Sequence, residues 1–385
     1  MERLPPEITQ RILSLVDLDS LTAAKLSCRS IHDAFTGAEK VITTEILRRQ
    51  IDSSILPEAI AVNKSFGLNP DDVNAVATFT SEHLVARQTP PVLCSLDEAL
   101  PMRRFHKYVE SLAIRLSQDA LATIPAPFQT SYHPFRPTPS ELFRIQRALY
   151  RYQLYCNMFG TRRVEKGEKL ARYATYFAQW ENEQVACVQN LLLRVIAKPF
   201  NEHIDHDISC ELVPYIDRDD SWEGWWILSR GLEYIHQLSI AKVFDEYKLL
   251  IRDGRGLPAM GYFFFEKFFK TRINWDLIYY RAKSARLLDL PEKYKASVFG
   301  KPFYDDPDSG PAIAWEWVYG DEYVKSGSLV ASPDTLSFRL WGYVFWDSAR
   351  LESSAFFRND FQHSSSVTDL LAVYRETGRN DELND

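Results

Sequence analysis

The sequence predicts a mainly α-helical protein, and three observations carry that expectation. Apolar residues recur at helical spacing along most of the chain. Two capping-box signatures, Ser95-Leu96-Asp97-Glu98 and Thr138-Pro139-Ser140-Glu141, announce helix starts. Strand signals are weak: no Asn-Gly or Asp-Gly is flanked by alternating apolar residues, and Asp253-Gly254 reads as a turn that ends a helix.

The elements follow in order. Ile8, Ile12 and Leu15 fall on one face of a short helix, with Pro6 where a first turn tolerates proline and Glu7 beside the positive end of the dipole. Leu21, Ala24 and Cys28 form a second face, capped by Asp19 or Ser20. The Ser95 box opens a long helix ending near Asp119. The Thr138 box opens another, with Leu142, Ile145, Leu149, Tyr152 and Cys156 as its buried stripe. Further stripes run Tyr173, Phe177, Gln184, Val188, Leu191, Val195, and Leu232, Ile235, Val243, Leu250. Proline and glycine punctuate the chain at Pro125 to Pro139, at Val298 to Pro311 and around Ser326 to Pro333. After about Ser364 the sequence turns polar, and Glu376 to Asp385 is expected to be a disordered tail.

Composition narrows the function classes. The 385 residues carry a formal net charge of −7 with acidic and basic residues interspersed, which argues against nucleic acid as the main partner. The densest basic cluster, Arg162-Arg163 with Lys166, Lys169 and Arg172, is interrupted by Glu165 and Glu168 and reads as a solvated helix face. Five cysteines lie far apart with no CxxC pair, a usage that fits reduced thiols in the cytoplasm or nucleus. Neither a secretory signal nor a run of about 20 apolar residues is visible, so no membrane is expected among the partners.

The first 35 residues are the most specific stretch. They are strongly aliphatic, and helices this short cannot bury so many side chains against themselves. Metal-ligand and disulfide spacings are absent there, so a partner or the rest of the chain must complete the core. The order Leu4-Pro5-Pro6-Glu7-Ile8, Ile12-Leu13, Leu21, Leu26-Ser27-Cys28-Arg29 and His32 resembles the F-box. Two positions depart from that family's pattern. Ser27 stands where valine is usual, and Ile31-His32 replaces the common tryptophan; both changes are conservative enough to weaken affinity rather than remove the module.

The resemblance implies a three-helix module that docks on an SKP-family adaptor, and through it on a cullin, a RING subunit and a charged ubiquitin-conjugating enzyme. By that analogy Leu4, Pro5, Ile8, Ile12, Leu13, Leu21, Leu26 and Cys28 contact or support the adaptor. A second segment, Arg339-Leu340-Trp341-Gly342-Tyr343-Val344-Phe345-Trp346-Asp347 with Arg350-Leu351, resembles one recurring in filamentous-fungal F-box proteins; its aromatics at helical spacing also read as core.

Other chemistry is thinner. Asp305-Asp306-Pro307-Asp308 invites comparison with the magnesium-binding motif of all-α terpenoid synthases, but Ser309 occupies the fourth position after Asp305, Pro307 with Gly310 suggests a loop, and Asn359-Asp360 lacks the companion serine and glutamate. His203, His206 and Asp207 would need a distant third metal ligand. Trp222, Trp225 and Trp226 cluster and read mainly as core. No catalytic residue and no cofactor is expected. The reading is an F-box module over residues 1–45, a large irregular helical domain over 46–365 that binds an unknown target protein, and a polar tail over 366–385. The alternatives are an adaptor-binding protein acting outside ubiquitination, and an all-α enzyme using the Asp305 to Asp308 region.

Overall fold

The computed structural model describes residues 4–69, 72–86, 93–125, 136–159, 173–204, 227–243, 286–322, 329–332, 335–354 and 356–358, with the single positions 128, 246, 249 and 250. The described residues are mainly helical, as the periodicity predicts, and none of them forms a β-strand. Among them no helix is long and apolar enough to cross a membrane. The chain separates into two compact units, Met1–Ala113 with Leu149–Phe159, and Ile114–Ala148 with Gly160–Asp385.

The first unit begins with α1 (Pro6–Leu13), α2 (Leu18–Ser27) and α3 (Arg29–Gln50). Pro6 occupies the first turn of α1, where a missing N–H costs nothing. The cap of α2 is Asp17 rather than Asp19 or Ser20: its carboxylate accepts the Ser20 amide at 2.7 Å and the Ser20 hydroxyl at 2.9 Å. Those hydrogen bonds, the amide first, hold the Asp17 carboxyl below the usual carboxylate range. Both α1 and α2 pack on α3. That helix breaks at Ala38 (φ −140°, ψ 24°), just after Gly37, and then runs on through position 45 to Gln50.

Next come α4 (Leu56–Ser65), α5 (Val73–Thr80), a π-helical turn (Ser81–Val85) and α6 (Leu96–Ala122). Half of the predicted capping box at the start of α6 is present: the Ser95 amide and hydroxyl both donate to Glu98, at 3.2 and 3.3 Å. Inside this unit His106 is buried, its Nδ1 2.9 Å from the Tyr150 hydroxyl and its Nε2 3.6 Å from Glu110. Burial lowers its pKa from 6.5 to about 4, against the opposing pull of Glu110.

A histidine held neutral in the folded state binds protons more readily once unfolded. Stability is therefore complete above pH 6.5 and falls as pH drops from there toward 4, by about 3 kcal/mol for this group. Urea denaturation at pH 7.5 and pH 4.5 should show that loss, and His106→Gln should remove this group's share of the difference. An unchanged pH dependence in the variant would rule out His106 as its source.

The second unit is built round α8 (Gln179–Ile204), whose stripe Gln184, Val188, Leu191, Val195 is buried as the spacing predicts, along with Tyr173 and Phe177 ahead of it. The helix α7 (Pro139–Phe159) opens on the predicted box, with the Thr138 amide donating to Glu141 at 2.8 Å. Ile145, Leu149, Tyr152 and Cys156 of its stripe are buried, and Leu142 is half-buried.

After α8 come α9 (Leu232–Ile240), α10 (Glu292–Phe299), α11 (Gly310–Tyr319), α12 (Leu336–Arg339) and α13 (Ser348–Ser353). Leu232 and Ile235 are buried as expected, but α9 stops at Ile240 and Ala241 turns extended. Val243 consequently lies beyond the helix and is exposed. Asp253-Gly254, Trp222, Trp225, Trp226, Ser326 and the segments 162–172 and 359–385 lie outside the described residues.

The segment Arg339 to Leu351 lies at the core of this unit. Trp341, Tyr343, Val344, Phe345 and Trp346 are all buried. Gly342 sits at φ +65°, and a Cβ there would meet the Phe345 ring at 2.6 Å, so the turn requires glycine. Gly310 is needed for close approach: a Cβ would lie 2.5 Å from the Ser348 amide nitrogen.

Candidate docking face on the N-terminal helices

In α1 the inward positions are Thr9 and Leu13, 1% and 3% exposed, while the Ile8–Ile12–Leu15 stripe turns the other way. Ile8 is 50% exposed, Leu15 just past the helix 59%, and Ile12 half-buried. Leu4 and Pro5 ahead of α1 are exposed, as is Leu26 in the last turn of α2, at 72%. Single exposed aliphatics are ordinary; several at helical spacing on one side of α1 make a candidate contact surface.

The structure thus divides the eight positions that the family resemblance nominates. Leu4, Pro5, Ile8 and Leu26 are exposed, and Ile12 and Cys28 are half-buried. Leu13 and Leu21 are buried and can act only from beneath, by holding α1 and α2 on α3. Leu15 is an exposed apolar position outside that set, and the spacing Ile8, Ile12, Leu15 could have supplied it.

Polar contacts fix the three helices. Gln10 donates to the Ala34 carbonyl at 3.0 Å, and Arg11 pairs with Glu45. Lys25 lies 5.4 Å from the centre of the Phe35 ring. At the far end of α3, Gln50 accepts the Leu18 amide at 3.4 Å, and Arg49 reaches the carbonyls of Ser14, Leu15 and Val16.

The aspartates of the 305–308 loop have other partners. Arg144, 1% exposed, forms a two-pronged pair with Asp306 at 2.6 and 2.9 Å, and also donates to Asp347 and to the Phe345 carbonyl. Asp308 accepts the amides of Gly310 at 2.7 Å and Ser348 at 3.0 Å, plus the Ser348 hydroxyl. Partial burial pushes its carboxyl up, but those hydrogen bonds outweigh it and bring it below the usual range. Asp305 is exposed. Among the described residues no group of three or more histidine, cysteine or carboxylate side chains is arranged to hold a metal ion. His206 and Asp207 lie outside those residues, as does the side chain of His203.

Elsewhere in the second unit, Glu183 is wholly buried and accepts from the Tyr319 and Tyr343 hydroxyls and the Ala331 amide. Burial raises its pKa, with Arg339 at 3.7 Å pulling the other way. These groups are closed on one another and serve the fold. Among the described residues Cys28, Cys94, Cys156 and Cys187 form no disulfide with one another. No protein-family model, curated protein or solved structure matches this chain.

Proposed function

We propose that the N-terminal helices form an F-box module that docks on an SKP-family adaptor, making the chain a non-catalytic receptor subunit of an SCF-type (Skp–cullin–F-box) ubiquitin ligase. The observation that carries this reading is the outward turn of the Ile8–Ile12–Leu15 stripe, in a segment whose residue order resembles the F-box. Leu4, Ile8, Leu15 and Leu26 are the surface such a partner would bury. The helical remainder holds a target protein near the charged conjugating enzyme and acts by raising effective concentration. Such a subunit works in the cytoplasm or nucleus, with its cysteines reduced.

The test is reconstitution. Full-length protein mixed with a purified SKP-family adaptor should elute as one complex in gel filtration, and adding a cullin should shift the complex again. If no adaptor complex forms at micromolar concentrations, the reading fails. A complex that excludes cullin would instead make the chain an adaptor-binding protein acting outside ubiquitination.

A further inference from the structure

We infer that Arg49 is a positioning residue for this docking face, acting through the turn between α1 and α2. The inference rests on the docking reading above. The last carbonyls of a helix have no partner within it and must find one elsewhere. Beyond the end of α1 the carbonyls of Ser14, Leu15 and Val16 point to one guanidinium, which bonds Ser14 and lies 3.3 and 3.1 Å from the other two. Arg48 and Arg49 stand in the last turn of α3, where basic residues complement the helix's own dipole. The geometry gives Arg49 a different task, at the end of another helix 33 to 35 residues earlier in the chain.

Next to it Gln50 takes the first amide of α2. Two consecutive side chains of α3 therefore grip both sides of a turn, Ser14 to Asp17, whose exposed apolar side chain is Leu15. The turn sets how the Ile8–Ile12–Leu15 stripe of α1 stands relative to Leu26 on α2. A planar fork with fixed donors can hold three carbonyls at once, whereas a lysine ammonium is a mobile point charge. Both gripping residues lie past position 45, so the working module reaches Gln50.

The experiment uses full-length wild type, Arg49→Met and Arg49→Lys, each titrated with purified SKP-family adaptor by calorimetry. Thermal melting and amide exchange across residues 14–18 are followed in parallel. Expected are an adaptor affinity about tenfold weaker for Arg49→Met, an intermediate value for Arg49→Lys, and faster exchange at the turn with little change in melting temperature. Exchange at the turn and adaptor affinity should move together, which a general stability role would not produce. Adaptor bound by Arg49→Met as tightly as by wild type overturns the role of Arg49 and leaves docking intact. Should Arg49→Met fail to fold, Arg49→Lys decides alone: a wild-type affinity in that variant overturns the role, and a loss with normal melting supports it. Wild type that does not bind the adaptor removes the docking reading, and this role with it.

Discussion

Replacing Glu141 with alanine is expected to destabilise the second unit by about 3–5 kcal/mol, because it breaks a buried ion pair by removing one member. Glu141 is wholly buried and meets Arg350 through two hydrogen bonds of 2.7 Å each. The same carboxylate caps the first turn of α7 at the Thr138 amide and accepts the Asp347 amide at 3.1 Å. Its removal takes two hydrogen bonds and the paired carboxylate from a guanidinium that is only 6% exposed, and frees a helix terminus at the same time. Replacing both members with apolar residues removes the remaining charge, so Glu141→Ala combined with Arg350→Met should be less damaging than Glu141→Ala alone. Denaturant unfolding followed by tryptophan fluorescence gives all the values. A loss below 1 kcal/mol for Glu141→Ala would mean that the pair contributes little to the fold.

The second large effect concerns binding. Ile8→Glu combined with Leu26→Glu should weaken adaptor binding by at least about a thousandfold while leaving the fold intact. Burying a large aliphatic side chain is worth about 1.5–3 kcal/mol, and burying an unpaired charge in its place costs more. Two such changes exceed about 4 kcal/mol, and each 1.4 kcal/mol is a factor of ten. Both positions are exposed in the free chain, so charges there are tolerated before docking. Leu13 and Leu21 are unsuitable for this purpose, since a charge at either would disrupt the packing on α3. Calorimetry against the adaptor, with circular dichroism as the folding control, measures the effect. Retained binding by a well-folded double variant would show that this face is not the docking surface.

Local signals in the sequence carried far into the fold. The box at Thr138 and half of that at Ser95 form as their residue types require, because a cap is made by neighbours three positions apart. The stripe on α8 is buried for the same reason: helical spacing states which residues share a face. It does not state what that face meets, and the Ile8–Ile12–Leu15 stripe looks outward although its spacing is equally regular. Asp17, Asp19 and Ser20 are all good caps in close succession, and residue type alone did not single out Asp17, which takes both the amide and the hydroxyl of Ser20. The pairing of Arg144 with Asp306, across 162 positions, was not legible. Charge in a sequence names no partner, so the loop residues that speak against a magnesium motif at the 305–308 aspartates still do not name Arg144.

The pair formed by Glu141 and Arg350 spans 209 positions of the chain, and this fixes an order of events in folding. The α7 cap can form as soon as residues 138–141 emerge from the ribosome, but its carboxylate has no guanidinium to meet until the chain has grown past residue 350. Through that interval the nascent second unit carries a charge it cannot yet bury, and the central segment 339–351 is still missing. Contacts of such high sequence separation slow folding and prolong exposure of apolar surface. The N-terminal helices, whose mutual contacts span about 35 residues, close long before. During synthesis the contacts among these helices can form while the second unit is still incomplete.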